Sequence, residues 1–337
     1  MSEKLKQLKE ILGEVSDLNH AASVLSWDQQ VNLPPGGGEA RGQHLATLGK
    51  ISHEKSTSDE VGKLLEDLKQ EFAGSDSDDA ALVRVAARNF DKSTRVPADF
   101  IAEQAVVTTA SFEAWVEAKR KSDFSIFLPH LEKVMELMRK YVSYFPPADH
   151  PYDVLLDDYE PGMKTAEVKE IFDKVRPQQV KLIKAITSAK QVKADFLHKK
   201  YNEKKVWDFS ETIISKFGYD FSRGRQDKAA HPFETSFSVN DVRITNRFEP
   251  NNPLATLFSG MHESGHAMYE QGINPAYERT PLANGVSSTV HESQSRMWEN
   301  LVGRSLPFWE HFFPELKKVF PAQLEGVSVK TFYKAIN

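Results

Sequence analysis

The chain has 337 residues, 40 % of them hydrophobic, enough to bury a substantial core in one large domain or two. Its 43 basic and 48 acidic residues leave a net charge of −5, which implies no general attraction to nucleic acid or to an anionic membrane. With no cysteine, disulfides and thiolate metal ligands are excluded, and His, Asp and Glu remain as the strong metal-binding side chains.

The N-terminus, MSEKLKQLKEILGEVSDL, is charged and amphipathic without a long apolar run, so it reads as neither a signal peptide nor a membrane span. A cytoplasmic protein is the resulting expectation. Leu5, Leu8, Ile11, Leu12, Val15 and Leu18 keep helical spacing and predict a first helix that stops before Pro34-Pro35-Gly36-Gly37-Gly38. Residues 38–75 read as polar helix, and the solvated turn at 75–79 supplies N-cap residues for the next helix. Helices are predicted over 80–90 and 99–120, with Pro97 a comfortable start for the second. The wide apolar stripe of 124–144 predicts a core helix, in which His130 is ordinary packing or surface.

Residues 146–162 read as an irregular loop. The acidic run Asp153, Asp157, Asp158 and Glu160 lacks the spacing and glycine of a calcium loop, so it is expected to be solvated. Two lysine-rich helices follow over 167–190 and about 193–216. Near Gly218 the period changes: Phe233, Thr235, Phe237 and Val239 alternate with polar residues, and Val242, Ile244, Asn246 and Phe248 do so after Asn240-Asp241. That pattern predicts a hairpin in a small antiparallel sheet.

Residues 254–272, LATLFSGMHESGHAMYEQG, form the most informative stretch. Leu254, Leu257, Phe258, Met261, Gly265 and Met268 recur at steps of three and four, predicting an amphipathic helix that Gly272 can end. His262 and His266 lie one turn plus about 40° apart, so both imidazoles face one side and can grip one ion. Glu263, about 100° round from His262, is badly placed to be a ligand beside both histidines but can reach a water held on that ion. This H-E-x-x-H arrangement is that of zinc peptidases, which need a third protein ligand. A second predicted helix over 289–302 offers Glu292, 26 residues after His266 (292 − 266). Two roles are open to Glu292: ligand, or partner of Thr289 in a Thr-x-x-Glu capping box.

His262-Glu263-Ser264-Gly265-His266 followed by His291-Glu292-Ser293-Gln294-Ser295-Arg296 resembles the M32 family of metallocarboxypeptidases, the thermostable carboxypeptidase Taq type. His231-Pro232-Phe233, and Asp241-Val242-Arg243-Ile244-Thr245 as its D-x-R-x-T pattern, are similar to two further family signatures. SWDQQVNLPPGGG with Arg41 resembles its N-terminal region, although Trp27 and Asp28 read equally as a packed ring and a solvated charge. The resemblance implies a mainly α, multi-helix zinc-peptidase fold with a deep cleft and a small antiparallel sheet beside the metal-binding helices. One peptidase domain over 1–337 is expected, with 1–217 as a helical cleft wall and 218–337 carrying the hairpin and metal helices. Zn²⁺, with Co²⁺ as an alternative, is implied on His262, His266 and Glu292, with Glu263 as general base. His231 and Arg243 are candidate substrate contacts, although for Arg243 the favoured reading is a local pair with Asp241 that fixes the hairpin.

The implied substrates are peptides with a free C-terminus, and the implied assembly is a homodimer. Two family signatures, I-R-x-x-A-D and G-x-x-Q-D-x-H-W, are absent from these 337 residues. Weak or absent turnover and an exposed apolar surface are therefore expected. Two other readings stay open: an oligopeptidase cutting internally in short peptides, and an inactive helical interaction module.

Overall fold

Serine and asparagine caps mark most of the helix starts. The computed structural model describes residues 2–337. α1 (Glu3–Val31) opens where Ser2 accepts from the Leu5 amide and ends ahead of the proline-glycine stretch. The helical run expected over 38–75 is two helices, α2 (Gly38–Ser56) and α3 (Asp59–Glu71), because the Ser58 side chain accepts from the Val61 amide and starts a new one. Such a cap leaves no gap in a polar sequence, so the break was hidden. Val61, Leu64, Leu65 and Leu68 of α3 pack with Leu5 and Leu8 and with Leu82, Val83 and Ala86 of α4 (Asp78–Ser93).

Trp27 is buried, and Asp28 is not simply solvated: its Oδ2 accepts from Nη2 of the buried Arg41 at 2.6 Å. α5 (Ala98–Lys121) and α6 (Leu128–Ser143) follow, the latter behind a 3₁₀ turn at Phe124–Ile126. Only Leu137 of α6 is fully buried, against Val96 and Phe100, so its wide stripe is half core and half surface. These helices, with Thr235–Asp241 and Gly272–Gly285, form one compact unit ending at Pro147 in its first segment.

The second unit comprises Ala148–Glu234, Val242–Gln271 and Val286–Asn337. It opens on a correction: the expected irregular loop contains α7 (Tyr152–Tyr159). Asp153 there is buried and accepts from the Thr165 amide at 2.8 Å, so part of the acidic run is structural. α8 (Thr165–Ser188) has no buried residue, and Ile171, Phe172, Leu182, Ile183 and Ile186 are each more than half exposed. With the exposed Val175 they recur at steps of three, four and seven and make one exposed apolar stripe.

α9 (Glu203–Phe217) begins ten residues later than expected, because Asn202 accepts from the Lys205 amide and 195–198 form a 3₁₀ turn. The strands are β1 (Gln226–Lys228), β2 (Glu234–Ser238) and β3 (Asp241–Asn246), ordered β1-β3-β2. β1 runs parallel to β3, with Gln226 opposite Ile244 and Lys228 opposite Asn246. The sheet is thus mixed rather than antiparallel; a polar three-residue strand carries no periodic signal. α10 (Ala255–Gln271), α11 (Ser288–Arg296), a π-helical turn (Met297–Val302), α12 (Leu306–Val319) and α13 (Val329–Ile336) complete the chain.

Leu257, Phe258 and Met261 of α10 join Phe209 and Ile213 of α9, Trp309, Phe313 and Leu316 of α12, and Phe332 of α13 in one cluster. Burying each such side chain contributes about 1.5–3 kcal/mol, so α10 is anchored along much of its length. No helix among the described residues is long and apolar enough to cross a membrane.

Candidate metal centre

α10 is buried on several sides, and its half-buried stripe carries the two histidines. Four residues apart on one helix, their rings lie 5.0 Å apart between centroids. The third group arrives because α10 has no side chain at Gly265. A Cβ built there would lie 2.6 Å from the Ser295 Cα and 2.8 Å from the Gln294 carbonyl oxygen of α11. That close approach brings Glu292 Oε2 to 3.2 Å from His266 Nε2 and 3.6 Å from His262 Nε2.

The capping role that the sequence left open for Glu292 falls to other residues: the Thr289 amide donates to Glu160 Oε2 at 3.3 Å. Ser287 accepts from the Val290 amide and starts α11. Glu292 instead accepts from Arg296 Nε at 2.7 Å through Oε1 and from Ser295 Oγ at 3.1 Å through Oε2. Val290 and Leu301 of the 288–302 segment are exposed, and its buried residue is Ser295, under Gly265. Ligand atoms of His262, His266 and Glu292 all lie within 4.8 Å of one another. Two imidazoles and a carboxylate are a donor set that suits a divalent zinc-like cation, so the residues fit the ion that the sequence implies.

Charge around the site is predominantly negative. Burial raises the Glu263 carboxyl to about 7, opposed by the His262 charge and reinforced by Glu292 and Glu299. Burial, with the charges of Glu270 and Glu263, pushes Glu234 well above the usual carboxylate range, and its Oε1 has no hydrogen-bond partner among the described residues. Burial and the neighbouring His291 and His262 lower His266 to about 4. For His262, burial works downward, but the Glu299 hydrogen bond and the surrounding carboxylates outweigh it and raise the pKa.

Three partners of the histidines went unassigned in the sequence. Glu299 Oε2 lies 3.0 Å from His262 Nδ1, while its Oε1 accepts from Arg304 Nη2 at 3.0 Å. His266 Nδ1 lies 2.5 Å from His291 Nδ1, whose own Nε2 is 2.8 Å from Glu270 Oε1. Spacing could have revealed one of them. Glu270 follows His266 by four residues on α10, which places its carboxylate near the same helix face as that imidazole.

His262 and Glu263 open onto a cavity of about 520 Å³ whose walls include His231, Phe258, Arg296, Glu299 and Arg304. His231, one of the two candidate substrate contacts, is therefore at the site. Arg243 sits half-buried on β3 and is not among the residues lining that cavity.

Residues 7–337 match the family described as Carboxypeptidase Taq (M32) metallopeptidase. The chain is 32 % identical over 333 residues to Carboxypeptidase 1 of Bacillus subtilis strain 168, which covers 98 % of this chain and 66 % of that protein. Against Thermostable carboxypeptidase 1 of Thermus thermophilus the identity is 36 % over 344 residues, with 98 % and 67 % covered. Its fold is similar to the crystal structure of the M32 carboxypeptidase from Deinococcus radiodurans R1, with a TM-score of 0.88 and 39 % identity over 100 % of this chain and 67 % of that one. The chain thus spans about two thirds of the length of these relatives. With this match over nearly all its residues, laid on a histidine-histidine-glutamate cluster, the chain belongs to the carboxypeptidase Taq (M32) family of metallopeptidases.

Proposed function

We propose that the protein removes C-terminal residues from peptides, with His262, His266 and Glu292 holding one Zn²⁺ and Glu263 acting as general base. The observation that carries this reading is the convergence of three side-chain donor atoms within 4.8 Å, beside a buried Glu263 carboxyl that lines one cavity together with His262. When bound, the ion supplies Lewis acidity and acidifies a water molecule. Glu299 engages Nδ1 of His262 and so leaves Nε2 for ligation. Arg296 holds Oε1 of Glu292, which keeps Oε2 toward the imidazoles. Glu263 takes a proton from the attacking water onto a carboxylate oxygen and passes it to the departing amine. His231 is a candidate contact for the substrate in the cavity. Arg243 is better suited to a local role on β3, given its place outside the cavity lining. Composition supports a cytoplasmic setting, and the family resemblance supports a homodimer.

Peptides of one sequence with free and amidated C-termini test the reading. With the zinc-loaded chain at high concentration, only the free form is expected to lose its terminal residue. Internal cleavage of the amidated form would make the protein an oligopeptidase instead.

Metal affinity carries a second test. A divalent ion binds neutral imidazole, so a proton on His262 competes with it. Because that pKa is raised, affinity is expected to fall about tenfold per unit as pH drops below it. His266, lowered to about 4, adds no such competition near neutrality. Chelator-competition titrations between pH 5 and 8 measure the slope; a flat profile would contradict ligation by His262.

A further inference from the structure

We propose that His291 is a positioning residue which, anchored by Glu270, holds His266 in the tautomer whose Nε2 is free to bind a divalent cation. This inference rests on the metal reading above and deepens it.

For two neutral rings the hydrogen-bond chain admits one placement of the protons. Glu270 is buried, and its Oε1 lies 2.8 Å from His291 Nε2. A carboxylate can only accept, so the proton on that contact belongs to His291 Nε2. A neutral imidazole carries one proton, which leaves His291 Nδ1 as an acceptor. His266 Nδ1, 2.5 Å away, must then be the donor. Its Nε2 is left bare, and it is this atom that faces Glu292 Oε2 at 3.2 Å. The negative charge of Glu270 therefore reaches the ligand atom of His266 through a second imidazole, without direct contact.

Ring packing holds the chain in plane. The His266 and His291 rings meet edge to edge, centroids 4.6 Å apart and 27° between planes, and Tyr269 packs edge-on against His291 at 5.0 Å. His262 is served differently, by a single carboxylate on Nδ1. Removing the acceptor at His291 would let His266 take the other tautomer, with a proton on Nε2 where the ion must bind.

The test is Zn²⁺ affinity of the whole chain by competition with a chromophoric chelator. His291→Phe keeps a ring but no acceptor and is expected to weaken binding about 10–100-fold, the usual effect of losing such an outer partner. His291→Asn places its side-chain oxygen where Nδ1 stood and is expected to recover most of that loss. Nitrogen-15 shifts of His266 in the unaltered, zinc-free chain read the tautomer directly and need no variant to fold; a proton on Nδ1 is expected. A proton on Nε2, or zinc affinity unchanged in His291→Phe, would overturn this inference while leaving the metal site standing. Failure of the unaltered chain to bind Zn²⁺ would overturn both.

Discussion

Glu263→Gln is expected to keep Zn²⁺ bound while turnover falls about 10²–10⁴-fold, the usual worth of a positioned proton-transfer group. Gln has the shape of Glu but no basic oxygen, and Glu263 is not one of the three clustered ligands. Metal analysis and peptide hydrolysis on one preparation separate the two outcomes. Full turnover in the variant would remove Glu263 from the mechanism. The same change has a readout that needs no catalysis. Burial raises the Glu263 carboxyl from its ordinary value of 4.5 to about 7 in the metal-free protein. Between those values the unfolded chain has released the proton while the folded chain still holds it, so stability falls as pH rises through the window. The loss is on the order of 3 kcal/mol, complete above about pH 7. Glu263→Gln lacks it, so the metal-free variant should gain on the unaltered chain between pH 5 and 8 in urea denaturation.

The two histidines were legible because their chemistry and their spacing on one helix both lie in consecutive residues. Glu292 was legible as a candidate and no further. Thr289-x-x-Glu292 fits a capping box as well as a ligand, and the capping reading depends on where α11 starts, which Ser287 decides. The outer partners were harder still. Glu299 lies on a π-helical turn, where the angular count of a regular helix no longer holds, and the contact from His291 to His266 joins two helices. α7 was missed because Asp153, a residue that normally marks solvent, is buried against the Thr165 amide. The stripe on α8 was hidden by its lysines, since a lysine-rich composition marks a solvated helix without showing which apolar residues share a face.

Gly265→Ala is expected to cost about a hundredfold in Zn²⁺ affinity although no ligand is touched. In a helix interior, replacing Gly by Ala normally stabilises by about 1 kcal/mol, so propensity alone predicts a small gain. Packing reverses the sign. The added methyl would sit 2.6 Å from the Ser295 Cα and 2.8 Å from the Gln294 oxygen, both backbone atoms that no rotamer change can move aside. Overpacking of this kind costs about 1–3 kcal/mol, and relief requires α11 to retreat from α10. Glu292 sits one turn before Ser295 on that helix, so its carboxylate withdraws from the two imidazoles as α11 does. Metal ligation tolerates only about 0.2 Å of departure from ideal distance, and a retreat of several tenths exceeds that. Gly36→Ala is the matched control, since a Cβ there meets nothing within 4 Å. Chelator competition on both variants reads the result. Unaltered zinc affinity in Gly265→Ala would mean that Glu292 is not held in place by the approach of these two helices.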